Sequence, residues 1–202
     1  MFHVCFSKCK KVRSLITIKR RTWMFKLLYK LGFFPNVYIY GNIKVIQSLT
    51  FQGNGTLILR DRCMLGVYPS PNVYNGEFYI EARKESAKIE IGERVFINNN
   101  AIIIADKSSI TIGDNTLIGP NFVCFDSNFH PINPSKRLSS DYSCKPVKIG
   151  RNVFIGANVT LLQGVTVGDN SIIGAGLTIS EDIPENTIVK TELAASFIKL
   201  EV

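Results

Sequence analysis

IGRNVF-IGANVT-LLQGVT-VGDNSI-IGAGLT-ISEDIP, residues 149–184, keeps a beat of six. An aliphatic residue recurs at Ile149, Ile155, Leu161, Val167, Ile173 and Ile179. Glycine follows it at Gly150, Gly156, Gly168 and Gly174, and Val153, Val159, Val165, Ser171 and Leu177 return four places on. Neither a 3.6-residue helical period nor strict alternation gives this spacing. A short fixed period marks a solenoid, whose units bury their apolar side by stacking on neighbours.

Six residues make one short strand and one tight corner. The aliphatic side chain points inward, and glycine serves the corner where a Cβ would clash. Three sides make a coil of about eighteen residues, with equivalent positions stacked into ladders. Outward from this stretch the beat is clear at Ile91-Gly92, Ile97, Ile103, Ile112-Gly113 and Ile118-Gly119. It is degraded between Asn36 and Glu90, where Leu65-Gly66 is the first hexad-like pair and Tyr68 to Gly76 reads as a loop. Between Cys124 and Val147 it stops, then resumes in register. A loop extruded at 125–146 from a regular solenoid has no packing reason to exist, which points to function.

The chain of 202 residues is one domain with small appendages: a leader at 1–34, the coil at 35–190 and a tail at 191–202. Residues 1–30 hold nine of the 24 Lys and Arg and no Asp or Glu, while the other 172 carry 15 basic against 16 acidic groups. The net charge of +8 therefore belongs to the leader. No folded basic face with interleaved aromatics points to nucleic acid. The spacing of Cys5, Cys9, Cys63, Cys124 and Cys144 suggests neither a disulfide framework nor a metal clip, which fits a reducing, cytoplasmic compartment. There is no secretory signal pattern and no apolar run long enough to span a bilayer. Thr22 to Leu31 reads as a short helix capped by Thr22, with Trp23, Met24, Leu27, Leu28 and Leu31 on one face. Such a helix plugs the open end of the solenoid, or lies with residues 10–32 on the inner face of a membrane; the two are compatible.

The loop reads FDSNFHPINPSKRLSSDYSCKPVKIG and holds His130, one of two histidines; the other, His3, lies in the leader. Asp126 stands four residues upstream, and the His-Pro start and KPVKIG end frame the segment. With the hexads, this resembles the hexapeptide-repeat acyltransferases, specifically the sugar O-acetyltransferase branch related to maltose and galactoside acetyltransferases. The resemblance covers roughly residues 85–190 and is strongest from His130 through Pro184. It implies an all-β left-handed parallel β-helix; the general preference for right-handed crossovers does not give that hand.

The resemblance also implies direct acetyl transfer from acetyl-CoA to a sugar or surface-polysaccharide precursor in a homotrimer, with no metal. His130 would be the general base, since free imidazole, with a pKa of about 6.5, is mostly neutral at physiological pH. Asp126 is a candidate to orient it, or a turn-forming Asx residue. Asn98 in FINNNAIII matches an asparagine that contacts acceptor, or is an ordinary corner residue of the coil, and Arg137 could hold a charged part of the acceptor or simply be solvated. Gly156, Ala157, Gly174 and Ala175 match the pantetheine groove between subunits, although the repeat itself demands small residues there. Where the family has Thr-Lys before Asp-Ile-Pro, this chain has Ser180-Glu181, and Glu181 repels phosphate; Lys190 or Lys199 would supply the cation. The altered tail, Thr191 to Ala194, is a further departure. A lipid-linked saccharide acceptor suits the basic leader. N-acetylation of an amino sugar and a non-catalytic scaffold remain open alternatives. A zinc enzyme of the γ-carbonic-anhydrase type needs three histidine ligands, and two histidines exclude it.

Overall fold

The computed structural model describes residues 2–190, with side chains from Ile16 onward; Lys199 and the tail segment Thr191 to Ala194 lie outside the described residues. Every strand in its three sheets is parallel, and each neighbour in a sheet is the third strand along the chain, except that Ile172–Ile173 pairs with Ile188–Val189, two strands on. That order is a coil, and the fold is a left-handed parallel β-helix. The first face runs from Val37–Ile39 through Thr56–Leu59, Lys88–Ile91, Ser109–Ile112 and Val147–Ile149 to Thr166–Val167. The second runs from Lys44–Val45 through Met64–Leu65, Phe96–Ile97, Leu117–Ile118, Phe154–Ile155 and Ile172–Ile173 to Ile188–Val189. The third holds Ser48–Gln52, Glu77–Ala82, Ile102–Ala105, Val123–Phe125, Thr160–Leu161 and Thr178–Ile179.

The six-residue beat becomes strands of two residues in the late coils, one side chain out and one in. The inward residues stack in register. On the first face Leu59, Ile91, Ile112, Ile149 and Val167 form one ladder. Ile80, Ile103, Cys124, Leu161 and Ile179 form another on the third. All are buried. Two corners carry asparagines at positive φ, which Asn tolerates better than other residues with side chains. Their amides bond from coil to coil, Asn100 to Asn121 to Asn158 on one edge and Asn152 to Asn170 to Asn186 on another. The region of degraded rhythm still forms coils. Its strands are longer, and residues 66–76 loop out between them, which is what blurs the beat.

The N-terminal helix departs from the sequence expectation. Helix α1 spans Phe2–Lys30, twenty residues more at its start than Thr22 would allow. No Pro or Gly interrupts residues 2–31, so nothing stops the helix until Gly32. Gly32, at φ +78°, turns the chain so that Phe33 N–H bonds the Leu28 carbonyl. Thr22 is no cap. Its hydroxyl donates to the Val45 carbonyl at 2.9 Å and accepts from Val45 N–H at 3.0 Å. The docked face is also different: Phe25 is the buried residue, while Trp23, Met24 and Leu31 are exposed. Arg21 completes the dock, donating to the carbonyls of Ile46 and Val73 at 2.9 and 2.6 Å. The helix thus closes the open end of the first coil.

Candidate active site

The extruded loop leaves the third face after Val123–Phe125 and re-enters the first face at Val147–Ile149. Its two ends are zipped together: Ser127 and Cys144 bridge antiparallel, and Lys145 N–H donates to the Asp126 carbonyl at 2.8 Å. Within it, Asn133 caps a short 3-10 turn at Pro134–Lys136, its side chain accepting from Ser135 N–H at 3.0 Å. That turn brings the Arg137 carbonyl to 2.8 Å from Nδ1 of the exposed His130. A carbonyl only accepts, so Nδ1 carries the hydrogen. In the neutral ring Nε2 therefore keeps the lone pair, the form a base needs. His130 opens on a cleft of about 300 Å³ shared with Asn128, Asn133, Lys136, Asp141 and Tyr142.

Asp126 does not orient His130. Its carboxylate is buried and accepts from the backbone N–H groups of Asp106 at 2.7 Å, Lys107 at 3.2 Å and Ser108 at 2.7 Å. Those bonds close the corner of the coil above, so the Asx reading wins over the catalytic one. Asp126 follows directly on a strand and is held at its corner, whereas His130 has already departed with the loop. The residue that orients the imidazole is Arg137, through its backbone rather than its guanidinium.

Sequence reasoning missed what hangs the loop on the coil. Asp106, buried in the corner after Ile102–Ala105, accepts from the Tyr142 hydroxyl and lies 3.4 Å from Arg83 Nη1. That hydrogen bond to the carboxylate, together with burial, pushes the Tyr142 pKa above its ordinary value. Lys107 Nζ stands 3.8 Å over the Tyr142 ring and donates to the Ser140 carbonyl at 3.2 Å. Arg83 stacks over Phe129 at 5.0 Å and donates to Glu81, holding that carboxyl below the usual range. Apart from Arg83 and Glu81, the partners are 23 to 46 residues apart with no common period, so no sequence pattern announces them. The thiols offer no nucleophile in this region. Burial pushes Cys124 and Cys144 up from the ordinary thiol value, away from the thiolate form.

The other expected site residues divide between edges of the coil. Asn98 sits half-buried at the corner between second and third faces, its Oδ1 accepting from Ser70 Oγ at 2.8 Å and Asn99 N–H at 2.7 Å. The loop emerges at the corner between third and first faces, so one chain sets Asn98 and His130 on different edges. Gly156, Ala157, Gly174, Ala175 and Lys190 all follow second-face strands and stack on the Asn98 edge. Gly156 is needed by the coil itself, since a Cβ there would stand 2.6 Å from Ala175 N. Gly174 is looser; its nearest obstacle would be the Val189 carbonyl at 3.2 Å. Ser180 follows Thr178–Ile179 and lies instead on the edge of the His130 loop, beside exposed Glu181.

Residues 146–181 match the family model for the hexapeptide repeat of succinyl-transferase. Over 102 residues the chain is 42% identical to galactoside O-acetyltransferase of Escherichia coli K12, covering 50% of this chain and 49% of that one. Galactoside O-acetyltransferase of Lactococcus lactis is 37% identical over 100 residues, 50% of this chain and 47% of that one. The chain spans about half the length of the curated relatives it matches. Among solved structures, a maltose O-acetyltransferase from Clostridium difficile 630 aligns with 86% of this chain and 82% of its own at 29% identity, TM-score 0.52. The polySia-specific acetyltransferase NeuO shares the fold over 82% of this chain and 71% of its own, TM-score 0.61 at 23% identity. Residues 146–181 thus carry the hexapeptide repeat, and over about half of its length the chain is similar to galactoside O-acetyltransferases.

Proposed function

We propose that the protein is an acetyl-CoA-dependent O-acetyltransferase of a sugar or of a saccharide precursor, with His130 as its general base. The observation that carries this is the bond from His130 Nδ1–H to the Arg137 carbonyl, which leaves Nε2 as the basic atom in an open cleft. Nε2 takes the proton of an acceptor hydroxyl as that oxygen attacks the thioester carbonyl. The tetrahedral oxyanion then collapses, the carbon–sulfur bond breaks, and the departing CoA thiolate recovers the proton from the imidazolium. The raised pKa of buried Cys124 and of half-buried Cys144 agrees with direct transfer rather than an acyl-cysteine intermediate. The small residues on the Asn98 edge and Lys190 are the proposed track for the pantetheine arm and its phosphates, and Ser180 a contact from the other edge.

The working unit in this reading is a homotrimer. Phe96, Leu117, Phe154, Ile172 and Ile188 pair in register down the outside of the second face, and all are exposed. An apolar ladder of that length on a flat sheet calls for a copy of the same face or of its neighbour. A neighbouring subunit also offers the way to bring an Asn98 edge against a His130 loop. Acetyl-CoA as donor puts the enzyme in the cytoplasm.

The test is thiol release from acetyl-CoA across a panel of sugars and nucleotide sugars, with His130→Ala beside the parent. Turnover should fall at least about a hundredfold in the variant. Transfer to amines alone would change the acceptor class to amino sugars. Absence of both transfer and CoA binding would leave a scaffold.

A further inference from the structure

The helix that closes the first coil carries a second surface, unrelated to the His130 loop. Thr22, Phe25 and Arg21 face the coil, so residues half a turn away face out. Ile16 and Trp23, seven residues apart on that outer stripe, are 62% and 59% exposed. Leu31 and Phe33 continue it past the helix end at 62% and 66%. Lys19, Arg20 and Lys30 are exposed alongside. Among the described residues none of these three cations has a carboxylate partner. The first thirty residues, with nine Lys and Arg, contain no acid that could supply one.

Large apolar groups in water and unneutralised cations on one surface select a partner. An RNA backbone would neutralise the cations and leave Trp23 and Ile16 wet. A second copy would cover the apolar groups but set Lys19, Arg20 and Lys30 against cations of the same kind. An anionic bilayer satisfies both, because headgroup phosphates meet Lys and Arg while Trp and aliphatic groups sit in the interface. No described helix is long and apolar enough to cross a membrane, so the contact is one of lying on the surface. We propose that this end of the molecule, centred on Ile16, Trp23, Leu31 and Phe33 with Lys19, Arg20 and Lys30, docks on membranes containing anionic phospholipid. The proposal does not depend on the acetyltransfer reading.

Trp23 is the single tryptophan of the chain, so its emission reports the contact directly. The full-length protein is titrated with vesicles of phosphatidylcholine and with vesicles of an equal mixture of phosphatidylcholine and phosphatidylglycerol. With the mixture, Trp23 emission should move to the blue, be quenched by brominated acyl chains, and recover in high salt. Lys19→Glu combined with Arg20→Glu, two exposed positions, should lower vesicle partitioning about tenfold or more at an unchanged circular dichroism spectrum. Three results overturn the proposal. One is no blue shift and no co-sedimentation with the anionic vesicles. Another is a blue shift that follows protein concentration without lipid, which assigns the surface to a second copy. The third is binding to single-stranded RNA with Trp23 unmoved by vesicles, which assigns it to nucleic acid.

Discussion

The coils from Val147 to Val189 and the loop that precedes them are neighbours in the chain and are held by opposite means. In the coils the inward aliphatic residues stack in register on those of the adjoining coils, and the strands pair from coil to coil up to the last one. That support is redundant and local. The loop buries little of itself and hangs on a few polar contacts, of which the buried Asp106 carboxylate gathers several. Repetition therefore makes the frame, whereas the aim of the one imidazole rests on contacts that occur once. Damage to the first should cost stability, and damage to the second should cost turnover.

The largest effect belongs to the coil. Ile103 is buried in the middle of the third-face ladder, between Ile80 and Cys124. Ile103→Ala should lower unfolding free energy by about 2–5 kcal/mol in chemical denaturation. His130→Ala should do the reverse. An exposed ring with one bond to a carbonyl adds little to stability, so the melting temperature should stay with the parent's while turnover falls at least about a hundredfold, about 2.7 kcal/mol in the barrier. If His130→Ala unfolded the protein as readily as Ile103→Ala, the division of labour between loop and coil would be wrong.

The same division explains what could be read in advance. The hexads fix the coil because each of Ile149, Ile155, Leu161, Val167, Ile173 and Ile179 states the same local requirement, and repeated statements average out noise. The loop was visible as a gap in that beat, and His130 as the group within it. Its orienter was not. Asp126 is near in sequence, yet which way a carboxylate turns at a coil corner depends on amides at Asp106, Lys107 and Ser108, one coil away. Tyr142 and Asp106 are 36 residues apart and share no period, so their pairing needs coordinates. The helix was under-read for another reason. Thr22 resembles a cap, but a hydroxyl finds a partner across a tertiary contact as readily as at a helix start, and here Val45 takes it.

Asp126→Asn tests the corrected role of that carboxylate. The amide keeps one acceptor but turns an NH2 toward donors, so the 106–108 corner should lose about 1–3 kcal/mol in denaturant melts. Below the melting range, turnover should stay near the parent's, because the Arg137 carbonyl still fixes His130. A loss of turnover as deep as that of His130→Ala would restore Asp126 to the catalytic pair.

The smallest expected change is at Tyr142, and it bears most directly on how the loop is held. Tyr142→Phe keeps the ring under Lys107 and removes the hydroxyl bond to Asp106, a loss of about 0.5–1.5 kcal/mol. That should speed amide exchange in residues 128–143 without moving the melting temperature of the coil. The parent adds a pH signature. The folded Tyr142 pKa lies above its unfolded value of 10.0, so the native loop holds the proton more tightly than the opened one. The stabilisation is fully present below pH 10.0 and is lost as pH rises through the folded pKa, when a phenolate would face the Asp106 carboxylate. Limited proteolysis of the loop should therefore accelerate above pH 10 in the parent beyond any change in the phenylalanine variant. Equal acceleration in both would place the tether on Lys107 and Arg83 and leave the hydroxyl without a role.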